Sequence, residues 1–159
     1  MKTKYLFFIF TVLSLLQCSK QGNYFLPKIT SKTCGCEASI KTDSTFYATD
    51  VRIEDHGANK VVNFKCADVE IAIASVSDIH GANERCENLY EIRCESAKTY
   101  SFSLNPQFSF YDEEAGEIEQ SGEAAQKLFF DELKNPHKKY FQLRTNKSRE
   151  ITSIDKLKL

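Results

Sequence analysis

The 159-residue sequence has few of the features that reveal a catalytic or nucleic-acid-binding protein. It has no tryptophan, one methionine and three histidines, and its 21 Lys+Arg nearly cancel its 22 Asp+Glu. It contains no G-x-S-x-G, H-E-x-x-H or Gly-rich phosphate-binding motif. The balanced charge gives no reason to expect nucleic acid as a partner. The sequence therefore predicts a protein that is not an enzyme and that requires no cofactor.

Long apolar runs are equally scarce, and the longest lies at the N-terminus. Two lysines precede an apolar segment over residues 5–16, which is shorter than the roughly 20 residues that span a bilayer. The segment ends in the tetrapeptide Leu15-Leu16-Gln17-Cys18. These features resemble the signal peptide and lipobox of bacterial lipoproteins. The resemblance implies cleavage before Cys18, an N-terminal lipid on that cysteine that anchors the chain to a membrane, and, from the serine that follows, sorting to the outer membrane.

The sequence predicts three consecutive segments. Residues 1–17 form the signal peptide, residues 18–33 a lipidated tether, and residues 34–159 a single domain. The tether is mostly polar and would reach roughly 50 Å if fully extended. The remaining length suits one domain with a hydrophobic core. We expect this domain in the cell envelope, and the sequence leaves open whether it occupies the periplasmic or the surface side of the outer membrane.

Alternating apolar and polar residues predict a β-rich domain. In the first segment, Tyr47, Val51 and Ile53 are predicted to share one face. The same alternation continues through Val62, Phe64 and Cys66; Val69, Ile71 and Ile73; Tyr90, Ile92 and Cys94; and Tyr100, Phe102 and Leu104. Short connections between these segments favour an antiparallel meander of about six to eight strands, each with one buried and one solvated face.

A different period appears in the C-terminal third of the chain. After Ser121, a capping residue, one apolar stripe is formed by Ala125, Leu128, Phe129 and Leu133. This spacing predicts a single amphipathic helix, which Asn135-Pro136 would end. Strands together with one helix indicate the α+β class.

Five cysteines follow Cys18, and all five are disulfide candidates: Cys34, Cys36, Cys66, Cys86 and Cys94. Disulfides persist in exported proteins, and an odd number leaves one cysteine unpaired. A bond between Cys86 and Cys94 is plausible across neighbouring strands, while Cys34 or Cys36 could attach the N-terminal segment to the domain. The adjacent pair in Cys34-Gly35-Cys36 also allows a thiol-redox or metal site.

One tetrapeptide occurs twice, as His56-Gly57-Ala58-Asn59 and as residues 80–83. Both copies are typical of tight turns, since Gly and Asn adopt positive φ readily. In a meander the two turns lie at the same end of the sheet. Side chains of both turns could then bind a transition metal such as zinc, as an alternative function. The residues concerned are His56, His80, Asp55 and Asp78. The simpler interpretation is that two turns use the same favourable residues.

Basic residues concentrate near the C-terminus, whereas residues 112–123 are acidic. The basic residues that we consider for binding are Lys138, Lys139, Arg144, Lys147 and Arg149. They could contact an anionic partner, or they could be neutralised by the acidic segment. We therefore expect a non-enzymatic binding module for a protein or cell-envelope component, acting through this basic hairpin or through the turns at His56 and His80. Metal binding at those turns and a redox role for Cys34 and Cys36 are the alternatives.

Overall fold

The computed structural model describes residues 34–57, 59–77, 84–116 and 119–159, and of residues 74–77 and 84–87 it describes the backbone alone. Contacts divide these residues into two units, one within Ala72–Leu89 and a larger one that contains 34–71 and 90–159. Several predicted site residues lie outside the described part, namely Cys18, Asp78, His80 and the side chain of Cys86.

Strands dominate the described chain, and one α-helix accompanies them. The elements are a 3-10 helix at Gly35–Ser39, β1 at Thr45–His56, β2 at Asn59–Ser77, β3 at Glu84–Asp112, β4 at Gln120–Ser121, α1 at Gly122–Lys134, β5 at Tyr140–Thr145 and β6 at Glu150–Lys156. The α+β class is therefore confirmed, with six strands. Within the described residues, no helix has the length and apolar character needed to cross a membrane.

The strand order differs from a simple meander. The order is β2-β1-β5-β6-β3-β4, and β2 also pairs with β3, so five of the six strands close into a ring. Strand β3 runs parallel to β6, whereas β1 pairs antiparallel with both β2 and β5. The predicted meander topology is therefore wrong. A parallel pair requires a crossover connection, and α1 lies in the connection between β3 and β6.

Phenylalanine rings fill the core of the larger unit. Phe46 of β1 stacks on Phe64 of β2 with ring centroids 5.3 Å apart. Phe129 of α1 is fully buried and packs edge-on against Phe108 and Phe141, at 5.8 Å from each. The predicted apolar stripe of α1 is confirmed, because Ala125 and Phe129 are buried and the two leucines pack partly buried beside them.

A β-bulge at Asp50 changes which side chains of β1 point inward. Thr49 pairs with Lys65 and Arg52 with Asn63, so two residues of β1 oppose one residue of β2. Asp50 has φ +52, which is consistent with the bulge. Inward positions are consequently 46 and 48 before the bulge and 51 and 53 after it. The prediction that Tyr47 shares a face with Val51 and Ile53 is therefore wrong.

The alternating pattern is also misleading in the second half of β2. Val62, Phe64 and Cys66 are fully buried, as predicted. Ile71 is 48% exposed and Ile73 is 64% exposed, so the prediction of a buried face does not hold for them. The register between β1 and β2 ends at Ala67, and Ile71 lies beyond the part of β2 that β1 covers.

Candidate functional site

Two disulfides join residues 34 and 36, at the start of the described chain, to the sheet. Cys34 bonds to Cys94 of β3, and Cys36 bonds to Cys66 of β2. These four residues, the cysteine cluster, attach the 3-10 helix to two strands. The N-terminal segment that Cys34 or Cys36 was predicted to attach lies outside the described residues. The predicted bond between Cys86 and Cys94 is wrong, because Cys94 is bonded to Cys34. The sequence did not indicate the observed bond, because Cys34 and Cys94 are 60 residues apart in the chain.

Asp68 lies against this cluster, and the sequence alone gave no indication of it. Its Oδ2 atom accepts a hydrogen bond of 2.7 Å from the backbone N–H of Gly35, the first residue of the 3-10 helix. Ligand atoms of Cys34, Asp68 and Cys94 lie within 4.8 Å of one another. An isolated acid on a strand is an ordinary surface residue, and only the disulfide pairing reveals what it faces.

The first predicted turn has the expected backbone. β1 ends at His56, and Gly57 follows with φ +76. The imidazole of His56 is 61% exposed, with Nε2 3.6 Å from a carboxylate oxygen of Glu54. His80, the second imidazole of the predicted site, lies outside the described residues.

Asp55 beside this turn already has donors for both carboxylate oxygens. Oδ1 accepts the N–H of Gly57 at 2.9 Å, and Oδ2 pairs with Lys60 at 3.3 Å. The Gly57 amide, followed by Lys60, lowers the pKa of Asp55 below its usual range. These contacts explain the role of Asp55 as a residue that stabilises the turn, and no bound metal is needed to explain it.

The basic residues near the C-terminus fall into two groups, and ion pairs distinguish them. Lys138 pairs with Glu95 at 2.6 Å. Lys139 is largely buried and donates to the carbonyl oxygens of Glu132 and Asn135, at 2.6 and 2.7 Å. Both carbonyls lie at the C-terminus of α1, where the Glu132 carbonyl also accepts the N–H of Asn135 at 3.2 Å. Both lysines therefore stabilise the fold.

Lys156 of β6 belongs to the same group, although the sequence did not single it out. Its Nζ lies 3.1 Å from Asp112 and 2.9 Å from Glu114, and 3.2 Å from Glu132 in an ion pair without hydrogen-bond geometry. Burial by itself lowers the pKa of the ammonium, but its contacts with the three carboxylates outweigh burial and raise the pKa. The acidic segment thus neutralises part of the basic hairpin. We call Lys138, Lys139 and Lys156 the paired lysines.

The second group lies at the connection between β5 and β6. It consists of Arg144, Lys147 and Arg149, which we call the basic turn. All three side chains are exposed, and none has an ion pair with another described residue. The guanidinium of Arg149 lies 5.6 Å from the ring centroid of Phe102, and its backbone has φ +63.

The backbone beneath the basic turn is held by a dense set of hydrogen bonds. The Asn146 side-chain oxygen accepts the N–H groups of Ser148 and Glu150, at 2.9 and 3.0 Å. Its side-chain nitrogen donates to the Glu150 carboxylate at 2.8 Å. The N–H of Asp43 also donates to the Asn146 carbonyl, at 3.0 Å. These bonds fix the positions from which the basic side chains extend.

The charge around the basic turn remains positive. Lys41 is exposed, and its carbonyl accepts a hydrogen bond from Thr145, so it adds a fourth cation to this end of the sheet. Three acids lie nearby, Asp43, Glu150 and Asp155; the Glu150 carboxylate is also bonded by Asn105, and the Asp155 carboxylate interacts with the charge of Arg144. Four cations and three acids leave this end of the larger unit with a small excess of positive charge.

Comparison with known proteins identifies no matching protein family, no similar curated protein and no similar solved structure.

Proposed function

We propose that this chain is a bacterial outer-membrane lipoprotein, anchored through lipid on Cys18, whose domain is a non-enzymatic binding module for an anionic protein or cell-envelope component. The basic turn is its contact surface. The observation that carries this proposal is the distribution of ion pairs: the paired lysines are neutralised within the domain, whereas the basic turn is exposed and has no ion pair among the described residues.

Electrostatics explain why such a surface suits binding. Exposed cations that are not neutralised by their own chain attract an anionic partner and raise the rate of encounter. Two of the three residues are arginines, whose planar guanidinium groups bind carboxylates and phosphates through two hydrogen bonds at once.

The hydrogen bonds around Asn146 also favour binding at the basic turn. A surface whose backbone is already ordered loses less conformational entropy on binding than a mobile loop does. Asn146 and Glu150 order the backbone of the turn without covering the exposed basic side chains. The turn is therefore preorganised for a partner.

The anchor is supported by the signal sequence and by the place where the tether joins the domain. Residues 18–33 lead directly into the cysteine cluster, whose two disulfides attach the start of the domain to β2 and β3. A tether attached in this way connects the lipid anchor to a part of the domain that two disulfides hold in place.

The anchor is tested by the intact mass of the protein extracted with detergent from a bacterial host. We expect a chain that begins at Cys18 and carries acyl mass. The variant Cys18→Ala should retain the leader and lose the acyl mass. An unlipidated mass for the unsubstituted chain would refute the anchor.

The contact surface is tested by photo-crosslinking in intact cells. A photoreactive amino acid replaces either Lys147 of the basic turn or Lys127, an exposed lysine on α1. We expect a specific adduct from position 147 that disappears when Arg144 and Arg149 are both changed to Gln, and none from position 127. Equal adducts from both positions, or an adduct at 147 that the double substitution leaves unchanged, would contradict the proposal.

A further inference from the structure

The Cys34–Cys94 disulfide and Asp68 form a group with a chemistry separate from the basic turn. The two sulfur atoms and a carboxylate oxygen lie within 4.8 Å of one another. Thiolates and carboxylates are ligands that Zn²⁺ accepts together. We propose that this group is a redox-dependent metal site: the disulfide is opened by a dithiol, and the two thiolates with Asp68 then bind a thiophilic divalent ion such as Zn²⁺.

Burial distinguishes the two disulfides of the cysteine cluster. Cys66 is fully buried and Cys36 is 3% exposed, so an external thiol has little access to that bond. Cys94 is only half-buried, although its partner Cys34 is buried. Because thiol–disulfide exchange requires the attacking thiolate to reach a sulfur atom, the Cys34–Cys94 bond should open first. The Cys36–Cys66 bond then continues to hold the 3-10 helix on the sheet.

The third ligand is already oriented. The N–H of Gly35 donates to Oδ2 of Asp68, and Oδ1 has no hydrogen-bond donor within the described residues. A backbone donor on one oxygen of a ligating carboxylate is the arrangement that commonly positions metal ligands.

The dithiol transfers two electrons and two protons, the Cys34–Cys94 bond breaks, two thiols form, and the dithiol becomes a disulfide. Zn²⁺ then displaces the two thiol protons into solvent and binds two sulfur atoms and one carboxylate oxygen. Water or an external ligand completes the coordination. In the oxidised protein the sulfur atoms bond to each other and cannot act as thiolate ligands.

The test uses full-length protein in which Cys18 and Cys86 are replaced by Ser, which removes the two remaining cysteines, and the unsubstituted chain serves as reference. Reduction with dithiothreitol is followed by alkylation and mass spectrometry. Binding is measured by competition for Zn²⁺ with a chromophoric chelator, and with Cd²⁺ by the ultraviolet charge-transfer absorption of metal thiolates. Near-ultraviolet circular dichroism monitors the fold.

We expect Cys34 and Cys94 to be alkylated before Cys36 and Cys66, and the reduced protein to bind one Zn²⁺ that the oxidised protein does not bind. Asp68→Asn, which keeps an oxygen to accept the Gly35 N–H, should weaken binding at least about tenfold. Changing Cys34 and Cys94 to Ser should abolish binding. Asp131→Asn, the matched control at an exposed acid of α1, should leave binding unchanged.

Four results would overturn the proposal. The first is simultaneous opening of both disulfides, and the second is a reduced protein that unfolds and that Zn²⁺ does not refold. The third is Zn²⁺ binding that Asp68→Asn leaves unchanged, which would show that Asp68 only caps the 3-10 helix. The fourth is absence of Zn²⁺ binding by a folded, reduced protein.

Discussion

The paired lysines and the basic turn are both groups of basic residues, and both lie within residues 138–156. They differ in whether acids of the same domain pair with them. Each paired lysine contacts a carboxylate, and Lys156 contacts three. The basic turn has exposed cations above an ordered backbone. Basic residues that look alike in the sequence can therefore have two different roles, and only the fold shows which residues have which role. One set of cations holds the β5–β6 hairpin and α1 together, and the other remains available to a partner.

The largest expected effect is a difference in the free energy of unfolding between variants of the two sets. Lys156→Met keeps the length of the side chain but leaves the largely buried Asp112 without its cation, and leaves Glu132 with Lys139 alone. We expect a loss of about 3 kcal/mol in the free energy of unfolding, because removing one partner of a buried ion pair leaves uncompensated charge. Urea denaturation measures this loss. The control Lys147→Met, on the basic turn, should cost less than about 0.5 kcal/mol. Equal costs would remove the distinction.

Alkaline pH should lower the stability that the paired lysines provide, and it should not affect the basic turn in this way. The carboxylates raise the pKa of Lys156 in the folded state, so its contribution is complete below the unfolded value of about 10.4 and is lost as pH rises through the folded pKa. Tyr140 acts in the same direction, because burial and its contact with Glu95 raise its pKa and favour the neutral phenol.

The melting temperature should therefore fall as pH rises above about 10. Lys156→Met and Tyr140→Phe should each make that fall less steep, whereas Lys147→Met should leave it unchanged. An alkaline transition with the same steepness in all four proteins would show that neither Lys156 nor Tyr140 is coupled to folding.

A smaller effect is expected at Lys139, whose ammonium donates to two carbonyl oxygens at the end of α1. Lys139→Met should lower the free energy of unfolding by about 1.5 kcal/mol, since hydrogen bonds from a charged donor are worth roughly 1.5–3 kcal/mol. Hydrogen exchange at the last turn of α1 should accelerate more than exchange in β5. Unchanged exchange in that turn would show that the lysine does not cap the helix.

The smallest effect on stability is expected at the basic turn itself. Substituting Gln for Arg144, Lys147 and Arg149 together should shift the melting temperature little, because these side chains are exposed and lack ion pairs among the described residues. Differential scanning calorimetry measures the shift. A large loss of stability would show that the basic turn, like the paired lysines, is structural.

Periodicity in the sequence predicted the parts of the fold that depend on local repetition. Helix α1 and its stripe, including Ala125 and Phe129, followed from the 3.6-residue spacing, and the inward face of β2 through Phe64 followed from alternation. The bulge at Asp50 was not predicted, because an extra residue in one strand leaves no compositional signature. Ring closure and the parallel pairing of β3 with β6 depend on contacts between distant segments, which alternation does not report.

The candidate site was predicted in part, for a similar reason. Charge counting identified the basic hairpin, and Arg144, Lys147 and Arg149 within it. It did not indicate which cations are neutralised, because the acids that pair with Lys138 and Lys156 lie 43 and 44 residues away in sequence. The same limit applies to Asp68, which meets Gly35 across 33 residues. Pairings over such distances are settled by the topology of the sheet.

The central claim is that the basic turn contacts an anionic partner, and the most direct test is retention of envelope material by the lipidated protein. The immobilised protein is exposed to detergent-solubilised bacterial envelopes at low and at high salt. We expect retention that falls with salt, disappears when Arg144, Lys147 and Arg149 are changed to Gln, and persists in Lys127→Gln and Lys138→Gln. Retention that survives the triple substitution, or that Lys127→Gln abolishes equally, would contradict the account.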